Sequence, residues 1–317
     1  APKFCSKLVV SIFSKVRIKN IRDKEQSFYT QAREFKVSRK NEDIHCYELG
    51  NPDGQLLFLV HGWESNPGCF TQFLPHLQDF RIIAFTLPGH AKNKETHTNL
   101  YKCKDAFKLV LDFINPTEPF HVVAHSLGSS VSAFALSETD YKADKLVFLS
   151  ANNHIVQVFK DFQKLVGFNN RVFRLLENRI EKMVGDKLSE MKVEERLEKV
   201  KFNELLLIHD KYDKIIRFKN SEELHAKFSN SKLIPFEKIG HYRMLWNEKV
   251  LEEDQDQGEM DMIFWGGLAI VTIVLSTLST AYPDDSDYQA VSKFALIMSN
   301  LWAFFPIMQA QGLWLKI

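Results

Sequence analysis

At 317 residues the chain has room for one large domain or two small ones, and a hydrophobic fraction of 45%, with 26 phenylalanines, is enough for a substantial core. Forty-one Lys and Arg stand against 40 Asp and Glu, so no overall charge draws the chain to nucleic acid. Cys5, Cys46, Cys69 and Cys103 are scattered with no Cys-x-x-Cys pair, which argues against a disulfide framework or a zinc site and for reduced thiols in a reducing compartment.

Residues 1–22 contain no acid, and their lysines and arginines alternate with apolar residues. The apolar run Leu8–Val10 with Ile12 and Phe13 is too short to span a bilayer. Two readings stand: a basic amphipathic helix at a membrane surface, or a segment packed on the following domain. Arg33–Arg39 and Asp43–Leu49 alternate as an antiparallel pair. Asn51-Pro52-Asp53-Gly54 is a turn. Leu56–Val60 is a continuous apolar run, as expected of a strand buried on both faces, and it ends at His61-Gly62-Trp63. Cys69–Leu77 reads as helical with a break at Pro75. Phe80–Leu87 is a second buried strand, Leu100–Ile114 a helix, His121–His125 a strand, Val131–Glu138 a helix and Asp144–Ser150 a strand. This alternation predicts a parallel sheet with crossover helices. From Asn152 to about Asn203 strands disappear. Helical spacing runs over Ile155–Val166 and Val172–Met183, suiting a cap over a site. Strands resume at Glu204–Ile208 and Lys232–Phe236, with a helix over Ser221–Phe228 that Ser221 would cap.

The chemistry concentrates at Ala124-His125-Ser126-Leu127-Gly128, where a β-branched run stops at a serine and small residues lead into a helix. A tight strand-to-helix turn lifts a hydroxyl clear of the backbone and points helix N-terminal N–H groups at developing negative charge. A serine hydroxyl needs a base within reach and an acid to orient that base. His241 follows the last strand, and Asp213 follows the one before it, with Asp210 as its competitor. The candidate catalytic set is Ser126, Asp213 and His241, with the backbone N–H groups of Trp63 and Leu127 as oxyanion hole. His125 and His61 read as structural or pocket-lining. His121 and His125 share His-x-x-x-His spacing, but a strand separates them by roughly 13 Å at about 3.3 Å per residue, so no metal is expected.

From about residue 30 to 250 the chain resembles the α/β-hydrolase superfamily. The resemblance rests on His61-Gly62-Trp63, Leu87-Pro88-Gly89-His90, the Ser126 elbow, Ile208-His209-Asp210-Lys211-Tyr212-Asp213 and Gly240-His241, and extends to small capped bacterial members. It departs from the common pattern at Ala124, Thr86 and Asp210. The resemblance implies a mostly parallel α/β sheet flanked by helices, an acyl-serine intermediate and no cofactor. The expected organisation is a basic N-terminal segment (1–29), a hydrolase domain (30–251, cap about 153–203), an acidic linker (252–261) and a two-helix hydrophobic hairpin (262–317).

Within that hairpin, neither 262–282 nor 294–314 contains an Asp, Glu, Lys or Arg, and each is long enough to cross a hydrocarbon core. The alternatives are a pair of buried helices in a dimer or complex, or a fused tail. The expected function is therefore cleavage of a small-molecule carboxylic ester or thioester by a membrane-associated hydrolase facing the cytoplasm. An acyltransferase on the same fold and a catalytically silent subunit of a membrane assembly are the alternatives.

Overall fold

The computed structural model describes residues 2–39, 42–247 and 250. The expected acidic linker and hydrophobic hairpin lie outside the described residues. Eight strands form one sheet in the order β1-β2-β4-β3-β5-β6-β7-β8. They are β1 Arg33–Arg39, β2 Glu42–Gly50, β3 Leu56–Val60, β4 Arg81–Phe85, β5 Phe120–His125, β6 Lys142–Leu149, β7 Lys201–Asp210 and β8 Ser231–Phe236. Only β2 runs against the rest: it pairs antiparallel with both β1 and β4, and every other pairing is parallel. The sheet carries the predicted α/β architecture, with a core rich in phenylalanine (Phe58, Phe85, Phe107, Phe120, Phe134, Phe148, all fully buried). All six residues of β5 are buried, which explains why its sequence is a continuous run instead of an alternation.

Eight α-helices accompany the sheet among the described residues: α1 Pro2–Ser14, α2 Gln26–Gln31, α3 Leu100–Ile114, α4 Leu127–Leu136, α5 Ile155–Val166, α6 Asn170–Val184, α7 Val193–Leu197 and α8 Lys219–Lys227. The Asn99 side chain caps α3 by accepting from Lys102 N–H, and Asn169 caps α6 by accepting from Arg171 and Val172 N–H. Gly167 and Gly185 end α5 and α6 in the left-handed conformation that a glycine adopts without strain. These stops leave α5 and α6 as two short amphipathic rods over the carboxyl end of the sheet.

Three expectations are corrected. The stretch predicted helical over 69–77 is a 3₁₀ segment, Pro67–His76, because Pro75 lacks the N–H an α-helix would use. Strand β7 begins at Lys201, so the cap is shorter than 153–203. Ser221 lies inside α8 and does not cap it; its hydroxyl is 2.7 Å from Nδ1 of His209.

The N-terminal segment packs on the domain. Helix α1 lies against α6, and the Phe13 ring sits 4.2 Å from Phe159 and 5.2 Å from Phe162. Backbone bonds from Val16 N–H to Thr96 O (2.7 Å) and from Thr98 N–H to Ser14 O (2.9 Å) fix its end. No described helix is long and apolar enough to cross a membrane.

At the centre of the fold α4 passes so close to β3 that a methyl group on Gly128 would sit 2.2 Å from the carbonyl oxygen of Val60. Gly128→Ala is expected to cost about 3 kcal/mol or more, as for severe overpacking, measured as a lowered urea midpoint.

Candidate active site

The carboxyl ends of the parallel strands converge on one point, as expected for an open α/β sheet. Ser126 stands between β5 and α4 with φ 53° and ψ −117°, a positive φ that a serine adopts only under constraint. Its N–H donates to Leu149 O (2.9 Å), and the close packing of Gly128 under β3 holds the turn. Gly62 allows the neighbouring loop to approach, since a methyl group there would lie 3.2 Å from Ser126 Cβ.

The three residues expected to act together are brought together. Ser126 Oγ lies 2.9 Å from His241 Nε2, and His241 Nδ1 lies 2.7 Å from Asp213 Oδ2. All three side chains are buried. The short contact to the carboxylate sets Nδ1 as the protonated nitrogen and leaves Nε2 free to accept the serine proton. Such a chain can take up a hydroxyl proton and return it to a leaving group.

The acid is fixed from every side. Its Oδ1 accepts from the N–H groups of Ile215 (2.8 Å) and Ile216 (3.0 Å), and its Oδ2 also accepts from Ser150 Oγ (3.0 Å). Nε2 of the buried His209 lies 3.4 Å from the same oxygen and 3.0 Å from Ile216 O, while Nδ1 meets Ser221. Burial alone would push the Asp213 carboxyl up, but the hydrogen bonds from His209 and His241 and the His241 ring outweigh it and hold the acid well below its ordinary range. Asp210 has a different task. Its Oδ1 accepts from Tyr212 N–H and its Oδ2 from Gly240 N–H, both at 2.6 Å, so it ties the loop of the acid to the loop of the base.

The other histidines bond the scaffold. His125 Nε2 is 3.0 Å from the carbonyl oxygen of His241, and burial, reinforced by the neighbouring His241, lowers the His125 pKa to about 3, so the ring is neutral and donates. His61 accepts from Leu87 N–H (3.0 Å) and meets Gly62 O through Nδ1 (2.8 Å), with its pKa pushed far down by burial. His90 bonds Pro88 O (3.0 Å). The loop that carries Trp63 is anchored at Glu64, which accepts from Arg17 N–H (2.8 Å), and at Asn66, which donates to the buried Glu25 (2.8 Å) and accepts from Tyr29 (2.7 Å).

Ser126 and His241 open into a cavity of about 330 Å³ walled by α1, α5 and α6, with Phe13, Phe159, Phe162 and Met191 among its apolar lining and Trp63 and Leu127 beside the serine. Hollows of about 660 and 510 Å³ elsewhere on the surface contain none of Ser126, Asp213 and His241. No cluster of three or more metal-ligating side chains occurs among the described residues.

Residues 55–170 match a family described as having the alpha/beta hydrolase fold. The chain has the α/β-hydrolase fold. In sequence, the chain is 29% identical over 126 residues to an uncharacterized hydrolase, YugF, of Bacillus subtilis, a match covering 39% of this chain and 45% of that protein. The match thus spans less than half the length of that curated relative. The Pyrococcus furiosus esterase Pf2001 superposes with a TM-score of 0.55 at 16% identity, over 75% of this chain and 92% of the esterase. A bacterial membrane phospholipase A gives 0.55 at 16% identity, over 80% and 90%. At these identities the structural likeness establishes the fold.

Sequence reasoning did not find His209 or Ser150 as partners of the acid. The signal available for His209 was its place four residues before Asp213, at the end of a buried strand. Because the Asp213 carboxyl is held low in the folded chain, its contribution to stability is full above the unfolded value of about 3.9 and is lost as pH falls below it. Wild type is therefore expected to be more stable than Asp213→Asn at pH 7, with the gap closing toward pH 2, as read from urea unfolding at each pH.

Proposed function

We propose that this α/β-hydrolase is a serine hydrolase that cleaves a carboxylic ester or thioester through an acyl-serine intermediate. The observation that carries the reading is the hydrogen-bonded run from Asp213 through His241 to Ser126, opening into an apolar cavity. Ser126 Oγ attacks the acyl carbonyl carbon and its proton passes to His241 Nε2. The carbonyl oxygen, now negative, is received by the N–H groups of Leu127 and Trp63. His241 then protonates the departing alcohol or thiol, leaving the acyl group on Ser126. Water enters, gives its proton to His241 and attacks the same carbonyl, and the acid is released as Ser126 recovers its proton. Each oxyanion donor in such a site is worth about 10²–10³ in rate.

The cavity favours an acyl group over a polar one. Its volume falls at the low end of the roughly 300–1,000 Å³ typical of small-molecule sites, and the rings of Phe13, Phe159 and Phe162 offer contact without hydrogen-bond partners. The esterase and phospholipase structures that share the fold are consistent with this class of substrate. The uncharged stretches over 262–282 and 294–314 support, from sequence alone, a membrane tether for the enzyme.

A series of p-nitrophenyl esters of increasing acyl length tests the proposal. At about 0.8 kcal/mol per buried methylene, kcat/KM is expected to rise about four-fold per methylene until the cavity is filled, and Ser126→Ala is expected to lower kcat by roughly 10⁴–10⁶. Hydrolysis unaffected by Ser126→Ala, or a preference for acetyl over longer groups, would contradict it.

A further inference from the structure

The charge of the chain is unevenly placed. Residues 1–22 carry six Lys or Arg and no acid, and residues 155–184 carry six against three, although the chain as a whole nets +1. These two segments pack together as α1 and α6, with α5 alongside, and form the roof of the cavity.

Exposed apolar side chains stand at the opening of this cavity and elsewhere on the surface. Ile18, Leu165, Met183, Tyr212, Ile215 and Tyr242 are all more than half exposed, Leu165 as much as 83%. Met183, Ile215 and Tyr242 line the mouth of the cavity, and Ile18 follows Arg17, which lines it too. Each of the six has an exposed cation beside it in the chain: Arg17, Lys164, Lys182, Lys211, Lys214 and Arg243. Arg17, Lys182, Lys214 and Arg243 make no ion pair among the described residues, whereas Lys164 meets Asp161 at 4.0 Å and Lys211 is paired with Glu237. Phe113, also exposed, is different: it stacks on Phe35 and is flanked by Asp112 and Ile114.

We propose that the roof and mouth of the cavity dock on the surface of an anionic lipid bilayer, cations against the headgroups and the neighbouring apolar side chains inserted between them. The pairing of a cation with a protruding apolar residue, repeated over separate loops and helices and four times at the opening itself (Arg17 with Ile18, Lys182 with Met183, Lys214 with Ile215, Arg243 with Tyr242), suits an interface whose one side is charged and whose other is hydrocarbon. The excess of positive charge selects anionic headgroups. The mouth would then face the lipid, and this holds whatever reaction Ser126 performs.

Because residues 262–317 could hold the chain to any vesicle, the test reads the mouth itself. An environment-sensitive fluorophore is attached to full-length protein through Met183→Cys in a Cys5→Ser background, where Cys46, Cys69 and Cys103 are buried. A second preparation carries it at Asp53→Cys, an exposed position before β3 at the opposite end of the sheet. Vesicles of phosphatidylcholine with phosphatidylserine are expected to shift the Met183 probe to the blue, reversibly in high salt, while phosphatidylcholine alone does little and the Asp53 probe stays water-like. Lys164→Gln and Lys214→Gln are each expected to weaken the response about five-fold. An equal shift on both vesicle types, a water-like Met183 probe on protein that floats with the vesicles, or a shift produced by polyglutamate and not by vesicles would overturn the proposal. The last result would assign the surface to an acidic protein.

Discussion

The close passage of α4 beneath β3 is the constraint on which the site depends. With no side chain at Gly128, the helix starts within reach of the Val60 carbonyl, and the chain has no route from β5 into α4 other than a sharp turn. Ser126 takes the positive φ of that turn. The strain is of the order of 1–3 kcal/mol, and the surrounding sheet, buried throughout β5 and at the carboxyl ends of β3 and β6, is what sustains it. The hydroxyl is therefore presented at a helix N-terminus, beside the loop held open by Gly62.

Around that fixed serine the remaining groups are positioned by backbone bonds more than by their own flexibility. Asp210 links the loop carrying Asp213 to Gly240, immediately before His241, and His125 holds the His241 carbonyl. Asp213 meets two backbone N–H groups, Ser150, His241 and His209. A buried carboxylate needs that number of partners to remain charged. Four separate chain segments (125–126, 150, 209–216 and 240–241) thus set the geometry of one proton path, which is the preorganisation that acyl chemistry requires.

Much of this is legible in the sequence, for a physical reason. Strands buried on both faces must be apolar throughout, so Leu56–Val60 could be bounded to the residue, and Leu100–Ile114 shows its core-facing stripe. Ser126, Asp213 and His241 fall at strand ends, where local pattern is strong. What the sequence hides is long-range. Ser221 looks like a helix cap because Glu222 and Glu223 follow it, yet His209 comes across from β7 and claims its hydroxyl, and the helix starts two residues earlier. The bond between Asp210 and Gly240 joins residues 30 apart and has no local signature. The N-terminal segment offered two readings, and its packing on the domain rests on α1 lying against α6 and on Phe13 meeting Phe159 and Phe162 of α5, contacts that no periodicity within residues 1–22 could reveal.

The central claim is that Ser126 is an activated nucleophile. Intact-mass analysis after exposure to a fluorophosphonate reagent tests it most directly. The account predicts one covalent adduct, located on the peptide containing Ser126 and absent in Ser126→Ala, with the rate of its formation falling at least 10³-fold in His241→Ala. A folded wild type that forms no adduct, or an adduct on another residue, would contradict it.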